Sequence, residues 1–296
     1  MFIDSFIRYL KGERGYSSHT LRAYRNDVTA FEEFLSSVDE SCGLQDVDAD
    51  IVRMWVSSLM DSGAAASSMA RKLSCLRTFY SYLCSVGVVS SNPVVMVSNP
   101  KGKKRLPTFL KEDNMDRILD FDLPEDDFCS LCNNTILHCF YGTGLRLAEL
   151  VGLNVSDVDM GLLHLKVVGK GNRERIIPFT KELHDIFDVY LKERAGVALP
   201  GEEAFFVSQR GTRVSRSSVY RMVRSKLLDL STLAKCSPHV LRHTYATAML
   251  NNGAELMVVK ELLGHKRLAT TEVYTHMTFE ELKRYYKKAH PRAGNN

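Results

Sequence analysis

The chain has 296 residues, of which 45% are hydrophobic and 25% are charged, and these values are ordinary for a globular protein large enough to form two domains. No apolar run approaches the length needed to span a bilayer, which excludes a helical membrane protein. Residues 1–100 hold nine Lys and Arg against eleven Asp and Glu, whereas residues 101–296 hold 30 against 24. The mild positive excess of the second part favours a polyanionic partner.

The cysteine content indicates a reducing compartment. Seven cysteines are an odd number in a long chain, so reduced thiols are the simplest interpretation. Residues 1–10 are too short and too charged a stretch for a secretory signal peptide. We therefore expect a cytoplasmic protein.

Four amphipathic stretches predict helices in the first hundred residues. Apolar residues recur at helical spacing over residues 2–10, 21–35, 51–59 and 69–83. Ser17 and Ser18 are suited to open the second helix, and Gly63 and Gly87 follow the third and fourth. With short connections and no strand pattern between them, these helices predict a compact bundle.

The polar faces of these predicted helices carry several cations. One interpretation is that they are solvated surface charges, and the other is that several of them contact phosphates. The candidate DNA contacts in this part are Arg22, Arg25, Arg71, Lys72 and Arg77.

Residues 90–107 form the predicted boundary between two domains. Two Asn-Pro pairs and the run KGKKR at 101–105 predict an extended, solvated segment. We place a helical domain at 1–98, a basic linker at 99–107 and a second domain at 108–296. Lys103, Lys104 and Arg105 either serve only as parts of a spacer or contact a duplex backbone that the linker crosses.

The second domain begins with predicted helices over residues 112–121 and 125–141. The latter contains Cys129, Cys132, His138 and Cys139, a set that invites a zinc interpretation. Zinc sites usually draw on two separated ligand pairs, whereas these four residues share one helix with apolar residues between them. Buried free cysteines are therefore the better interpretation, and we expect no metal.

A glycine-rich turn at residues 142–145 leads into a predicted short helix. Arg146 lies near the amino end of that helix, where an anion is favoured, and Glu149 shares its face and can hold the guanidinium. A surface Arg–Glu pair of little energetic value is the alternative. The spacing Gly142-x-Gly144 does not match a nucleotide-binding loop.

Residues 162–168 and 174–179 alternate like strands, and the sequence GKGNR joins them. This pattern predicts a β-hairpin with Lys170 at its tip and Arg173 beside it. The lysine is either solvated or reaches into a groove. Further predicted elements are helices over 181–194, 215–230 and 279–290 and a short strand over 204–207.

Two runs near the end of the chain combine histidines, an arginine and a tyrosine. Ser237 and Pro238 predict the start of a helix on which His239 and Arg242 share a face. His265 and Tyr274 are nine residues apart, which puts them on opposite sides of one continuous helix. They can meet only if the chain turns between them, and Gly264 together with the threonines at 270–271 favours such a turn.

Four motifs together resemble the tyrosine recombinase family, and most closely the Xer-type site-specific recombinases. They are TGLRLAEL at 143–150, VVGKGNRERIIP at 167–178, HVLRHTYAT at 239–247 and LGHKRLATTEVYTH at 263–276. The stretch GYSSHTLRAYRNDVTAFEEFL at 15–35 is similar to that family too, so the resemblance covers nearly the whole chain. Lys266-Arg267 and Ala248 depart from the family pattern outside the predicted catalytic set.

The resemblance implies a mainly α fold with a small β-sheet. An amino-terminal SAM-like core-binding domain and a carboxy-terminal catalytic domain would form a C-shaped DNA clamp. Arg146 and Arg242 would hold the scissile phosphate. The other implied roles are attack by Tyr274, protonation of the leaving oxygen by Lys170, completion of the pocket by His239 and His265, and support of Arg146 by Glu149.

The resemblance further implies cleavage and rejoining of double-stranded DNA at a specific site. A 3′-phosphotyrosine and a Holliday junction are the implied intermediates, and no cofactor is implied. The implied assembly is a homo- or heterotetramer with a possible accessory activator, in which helix 279–290 docks on a neighbouring protomer. Alternatives are type IB topoisomerase-like relaxation and a catalytically idle DNA-binding protein. Chromosome-dimer resolution and mobile-element integration or inversion both stay open as biological roles.

Overall fold

The computed structural model describes residues 2–39, 42–100, 110, 112–119, 127–169, 174–230, 236–264 and 279–292. The chain divides into two compact units, Met1–Arg105 and Leu106–Asn296. Both units are mainly helical, and the second also contains a small sheet, as the resemblance implied. Among the described residues, no helix is both long and apolar enough to cross a membrane.

The first unit is the predicted helical bundle. Its apolar stripes meet in one core that includes Phe6, Phe31, Trp55 and Phe79. Ser17 caps the second helix, because its side-chain oxygen accepts a hydrogen bond from the amide of Thr20 at 3.3 Å. The helices are α1 (Phe2–Gly12), α2 (Ser18–Val38), α3 (Ala49–Asp61) and α4 (Ala66–Ser85).

The second unit has a core of its own, and the sequence predicts all of its helices except the one at Leu256–Leu263. One predicted element is wrong: residues 204–207 form no strand. Ala204 and Val207 instead make isolated bridges with Asn154 and Arg213, because no continuous neighbouring strand pairs with them. The helices are α5 (Glu112–Leu119), α6 (Phe128–Thr143), α7 (Leu147–Gly152), α8 (Lys181–Val197), α9 (Arg216–Leu230), α10 (Pro238–Asn251), α11 (Leu256–Leu263) and α12 (Phe279–Ala289), with a 3-10 turn at Val155–Asp157.

The sheet of the second unit has three antiparallel strands in the order β1 (Val158–Asp159), β2 (His164–Val168) and β3 (Glu174–Pro178). The hairpin of β2 and β3 is confirmed, whereas the two-residue β1 has no sequence pattern and escaped prediction. Val167 pairs with Arg175, and Leu165 pairs with Ile177. Side chains alternate between the two faces of a strand, so Arg175 points to the face on which Ile177 is buried.

Helix α12 packs on its own unit. Leu282, Tyr286 and Ala289 are buried in the core of that unit, and the Tyr286 hydroxyl donates to the carbonyl oxygen of Gly142 at 2.7 Å. The apolar face of the helix is therefore buried within the same chain, and the docking of this helix on a neighbouring protomer stays a prediction. In this position α12 supports the turn that precedes Arg146.

Candidate active site

Arg146 is held from two sides by Glu149. It is the N-cap residue of α7, and its backbone amide donates to Oε2 of Glu149 at 2.8 Å while its Nη1 donates to Oε1 at 2.7 Å. Glu149 therefore satisfies an amide at the helix start, and in addition it fixes the direction of the Arg146 side chain. That side chain is 35% exposed, whereas the side chain of Glu149 is 4% exposed. The pair is thus a buried carboxylate that holds an accessible guanidinium.

Arg175 is a second partner of Glu149, and sequence reasoning missed it. Its Nη1 and Nη2 donate to Oε1 and Oε2 of Glu149 at 2.9 and 2.8 Å, and its side chain is 9% exposed. Burial alone raises the pKa of Glu149, but the ion pair with Arg175 and then the contacts with Arg146 bring it down to about 2. The carboxylate is therefore ionised throughout the neutral range. The signal in the sequence was the strand alternation, which puts Arg175 on the inward face with Ile177.

Arg242 lies in α10 with 8% of its surface exposed. Its Nη1 donates to the carbonyl oxygen of Gly144 at 2.6 Å and its Nη2 to that of Leu263 at 2.5 Å. Burial, followed by repulsion from Arg146, lowers the pKa of Arg242 to about 10, so the side chain stays cationic at neutral pH. These two bonds occupy one donor on each terminal nitrogen, and a guanidinium has five N–H donors.

The three arginines meet at the carboxyl end of α11. Arg175 Nε donates to the carbonyl oxygen of Leu262 at 2.9 Å, Arg242 Nη2 to that of Leu263, and Arg146 Nη2 to that of Gly264 at 3.0 Å. The last carbonyls of a helix lack partners within the helix and carry partial negative charge, so cations are favoured there. The end of this helix therefore gathers three guanidiniums drawn from α10, β3 and the start of α7.

His239 occupies the first turn of α10 and is exposed. Partial desolvation is the largest cause that lowers its pKa, and repulsion from His243, Arg242 and Arg146 follows. The imidazole is therefore neutral at pH 7 and able to accept a proton. The predicted pairing of His239 with Arg242 on one helix is consistent with this electrostatic contact.

Three of the six predicted catalytic residues lie outside the described residues: Lys170, His265 and Tyr274. Their neighbours in the chain are described. Gly264 directly precedes His265 and ends α11 in the left-handed conformation at φ 63°. Val168 and Glu174 are the last and first residues of the hairpin strands that flank Lys170. Arg173, Lys103, Lys104 and Arg105 also lie outside the described residues.

The described cations of the first unit are mostly engaged within it. Arg71 and Lys72 both pair with the buried carboxylate of Asp27. Arg25 pairs with Asp4 at 2.7 Å. Arg77 donates to Val97 and Asn99, and Arg22 is exposed. Four of the five candidate DNA contacts in this unit thus also bind residues within it.

The cysteines of α6 are part of the packing. Cys132 and Cys139 are buried, and burial raises the pKa of each thiol to about 12. Cys132 Sγ donates to the carbonyl oxygen of Val207 at 3.4 Å. In the part of the chain that the structure describes, no group of three or more His, Cys, Asp and Glu side chains is placed to hold a metal ion.

Two other tyrosines that could compete as nucleophiles are buried. Tyr245 is 0% exposed and Tyr286 is 1% exposed, and burial raises the pKa of both hydroxyls. A phenol in this setting is harder to ionise and is remote from any solvent-borne phosphate. Neither residue is therefore arranged to attack DNA in this structure.

Comparisons with known proteins cover both units. The family model described as "Phage integrase family" matches residues 108–281, and the model described as "Phage integrase, N-terminal SAM-like domain" matches residues 3–87. Tyrosine recombinase XerC of Vibrio vulnificus is 40% identical over 291 residues, with 98% of this chain and 91% of the relative covered. Tyrosine recombinase XerD of Oceanobacillus iheyensis is 33% identical, with 98% of each covered. A solved structure of the XerH site-specific recombinase bound to a palindromic difH substrate has a similar fold at 19% identity, with a TM-score of 0.74 and with 98% of this chain and 82% of that chain covered.

Proposed function

The chain belongs to the phage integrase family as a tyrosine recombinase of the Xer type, and from that premise we propose how its side chains cut and rejoin DNA. Tyr274 attacks a phosphodiester at a specific recombination site. Arg146 and Arg242 hold the phosphate, Lys170 protonates the leaving oxygen, and His239 and His265 complete the pocket. Glu149 binds Arg146 and fixes the direction of its guanidinium.

One observation carries this assignment: Arg146 and Arg242, which are 96 positions apart, bind adjacent carbonyls at the end of α11. Their guanidiniums are thereby brought to the point at which the chain continues into the segment that carries His265 and Tyr274. Two such cations offer bidentate donors to the non-bridging oxygens of a phosphate. Loss of one such stabiliser typically slows a reaction by about 10²–10³-fold.

The attack step requires activation of a weak nucleophile. A tyrosine hydroxyl with a pKa of about 10 is ionised to about one part in a thousand at neutral pH, which is a deficit of about 4 kcal/mol. The neutral imidazole of His239 is able to accept the phenolic proton, and the cationic surroundings favour the phenolate. As the bond from the Tyr274 oxygen to phosphorus forms, the bond from phosphorus to the 5′ oxygen breaks.

The leaving alkoxide is a poorer leaving group than a phenolate, so a general acid is needed as much as a base. Lys170, which lies between β2 and β3 in the sequence, supplies that proton. The products are a 3′-phosphotyrosine and a free 5′-hydroxyl, and attack by a 5′-hydroxyl of the partner duplex reverses the chemistry. Because the phosphodiester energy is kept in the phosphotyrosine, no nucleotide cofactor is consumed.

The proposed substrate is double-stranded DNA, on which residues 1–98 act as the core-binding domain, 99–107 as the linker and 108–296 as the catalytic domain. Two pairs of subunits, of this chain alone or with a second recombinase, assemble on two sites and exchange strands through a Holliday junction, with an accessory activator as a further partner. The reaction takes place in the cytoplasm, where the chromosome lies.

A nicked suicide duplex tests the proposed function. The nick lies close to the cleavage point, so the short 5′-hydroxyl fragment diffuses away and leaves protein covalently attached to DNA. Wild-type protein is expected to form this adduct and Tyr274→Phe is not, while Tyr285→Phe serves as a control that retains it. Absence of an adduct with wild-type protein on a duplex that the protein footprints supports the idle DNA-binding alternative instead.

The DNA site separates the remaining possibilities. Mobile-element integration or inversion and chromosome-dimer resolution use the same chemistry, so the DNA site has to distinguish them. Footprinting and trapping on DNA from around the gene and from the replication terminus identify that site. Relaxation of a supercoiled plasmid that lacks the site would instead indicate topoisomerase-like activity.

A further inference from the structure

Arg175 is a cation in an unusual position, because it points inward from a β-strand. An unpaired charge buried there would be costly, yet the side chain is 9% exposed. All three of its nitrogens donate to acceptors: two to the carboxylate of Glu149 and the third, Nε, to the carbonyl oxygen of Leu262. The guanidinium is therefore fixed in one orientation, as planar bidentate pairing requires.

Arg175 binds the carboxylate of Glu149, which also orients Arg146. Each oxygen of Glu149 accepts one bond from Arg175 and one from Arg146. Without Arg175, the carboxylate would keep both bonds to Arg146 but lose the two that fix its own position. The direction of the Arg146 guanidinium thus depends on a side chain that lies in a different element.

Arg175 also touches the start of the segment that carries Tyr274. Besides its bond to Leu262, its side chain lies against Gly264: a Cβ added at Gly264 would be 3.2 Å from both Cδ and Nη1 of Arg175. The same residue belongs to β3, the strand that leaves the hairpin tip, five positions after Lys170. Arg175 therefore joins the three segments from which four of the proposed catalytic residues come, namely Arg146, Lys170, His265 and Tyr274.

We propose that Arg175 is a positioning residue for DNA cleavage. It holds Glu149, and through Glu149 also Arg146, in position beside the carboxyl end of α11. This inference rests on the proposed function. It assigns Arg175 no contact with the phosphate, since its side chain is only 9% exposed and each of its three nitrogens already donates within the protein. A displacement of about 1 Å can cost on the order of 10²-fold in rate, so loss of this support is expected to affect cleavage more than DNA binding.

The test compares Arg175→Lys with Arg194→Lys in the full chain. Arg194 is a matched control because it is also partly buried and donates to the carbonyl oxygens of Glu202, Ala204 and Phe205, outside the site. Lysine keeps the charge but not the forked geometry. At a temperature at which circular dichroism shows both variants folded, Arg175→Lys should slow single-turnover adduct formation about 10- to 100-fold. Its Kd for the duplex should stay within about threefold, and Arg194→Lys should cleave like wild type.

A double-mutant cycle separates positioning from general destabilisation. If Arg175 acts through Arg146, Arg175→Lys should cost less than about threefold when Arg146→Lys is already present, because residues that act as a unit are not additive. Wild-type cleavage by folded Arg175→Lys, or a full multiplication of the two losses, would overturn the inference.

The remaining outcomes are also informative. Should Arg175→Lys not fold, the pair Arg175→Gln with Glu149→Gln leaves no unpaired buried charge, and a wild-type cleavage rate for that pair overturns the inference as well. Failure of wild-type protein to form an adduct contradicts the proposed function itself, which distinguishes the two failures.

Discussion

Arg242 donates a hydrogen bond to the carbonyl oxygen of Gly144 at 2.6 Å, so α10 is tied to the turn just before Arg146. Gly144 has a left-handed backbone at φ 61°, and a Cβ added there would lie 2.5 Å from Cδ1 of Tyr245. Tyr245 belongs to the same helix as Arg242. The turn and α10 therefore fit together only if residue 144 lacks a side chain.

Gly144→Ala is expected to lower the free energy of unfolding by about 2–4 kcal/mol, because left-handed strain and a steric clash add. Urea denaturation measures the loss. Gly253→Ala is the control, since Gly253 also has positive φ, at 83°, but nothing lies within 4 Å of an added Cβ. Equal losses for the two variants would show that the contact with Tyr245 contributes nothing.

Glu149→Gln should destabilise the protein at pH 7 by about 3–5 kcal/mol, because it removes the buried anion between two cations, one of which has a side chain only 9% exposed. The folded-state pKa of about 2 lies below the ordinary 4.5. The stabilisation is therefore fully present above about pH 4.5 and is lost as the pH falls towards 2. The difference between wild type and Glu149→Gln should shrink over that range. Glu174→Gln, at an exposed pair with Lys166, should leave stability nearly unchanged at every pH, because water screens such a pair.

His239 should give the cleavage rate an acid limb. Its folded pKa is lowered from the ordinary 6.5, so the ring is neutral at pH 7 and takes up a proton only in more acidic solution. A protonated ring cannot accept the phenolic proton, and the rate should fall as the pH decreases. His239→Gln should react about 10²-fold more slowly at pH 7 and lack this limb, whereas His184→Gln should retain it. Persistence of the limb in His239→Gln would assign it to another group.

Arg22 and Arg71 should respond differently to replacement by alanine. Arg22 is exposed, so Arg22→Ala should weaken DNA binding, reduce the salt slope of binding by about one and leave stability within about 0.5 kcal/mol of wild type. Arg71 pairs with Asp27, which is 2% exposed. Arg71→Ala should therefore cost about 1–3 kcal/mol of stability. Thermal unfolding together with titration of a duplex at several salt concentrations measures both, and an unaltered salt slope for Arg22→Ala would remove that residue from the proposed DNA surface.

The elements that the sequence predicts well are those whose pattern is local. The stripe of Phe6 and Leu10 in α1 and the cap at Ser17 need no tertiary information, and the Gly-rich turn alone indicated that Arg146 lies at a helix start. The short stretch at 204–207 misled because four apolar residues between turns satisfy a strand pattern whether or not a neighbouring strand exists.

The network behind Arg146 depended on long-range contacts that no local spacing encodes. The sequence suggested the pairing of Arg146 with Glu149, three residues apart, but not that of Glu149 with Arg175, 26 residues away. Arg173 attracted the prediction of a DNA contact because the sequence predicts a hairpin tip at this position. Arg175, in contrast, lies on the inward side of β3 and contacts Glu149. The strand register was needed to recognise this.

Peptide mapping of the trapped adduct tests the central claim most directly. After digestion of the protein and the DNA of the covalent complex, mass spectrometry locates the residue that carries the nucleotide phosphate. The expected result is a single modified tryptic peptide with the 3′-linked nucleotide on Tyr274. A nucleotide on Tyr245, Tyr285 or Tyr286, or on a residue other than tyrosine, would contradict the account.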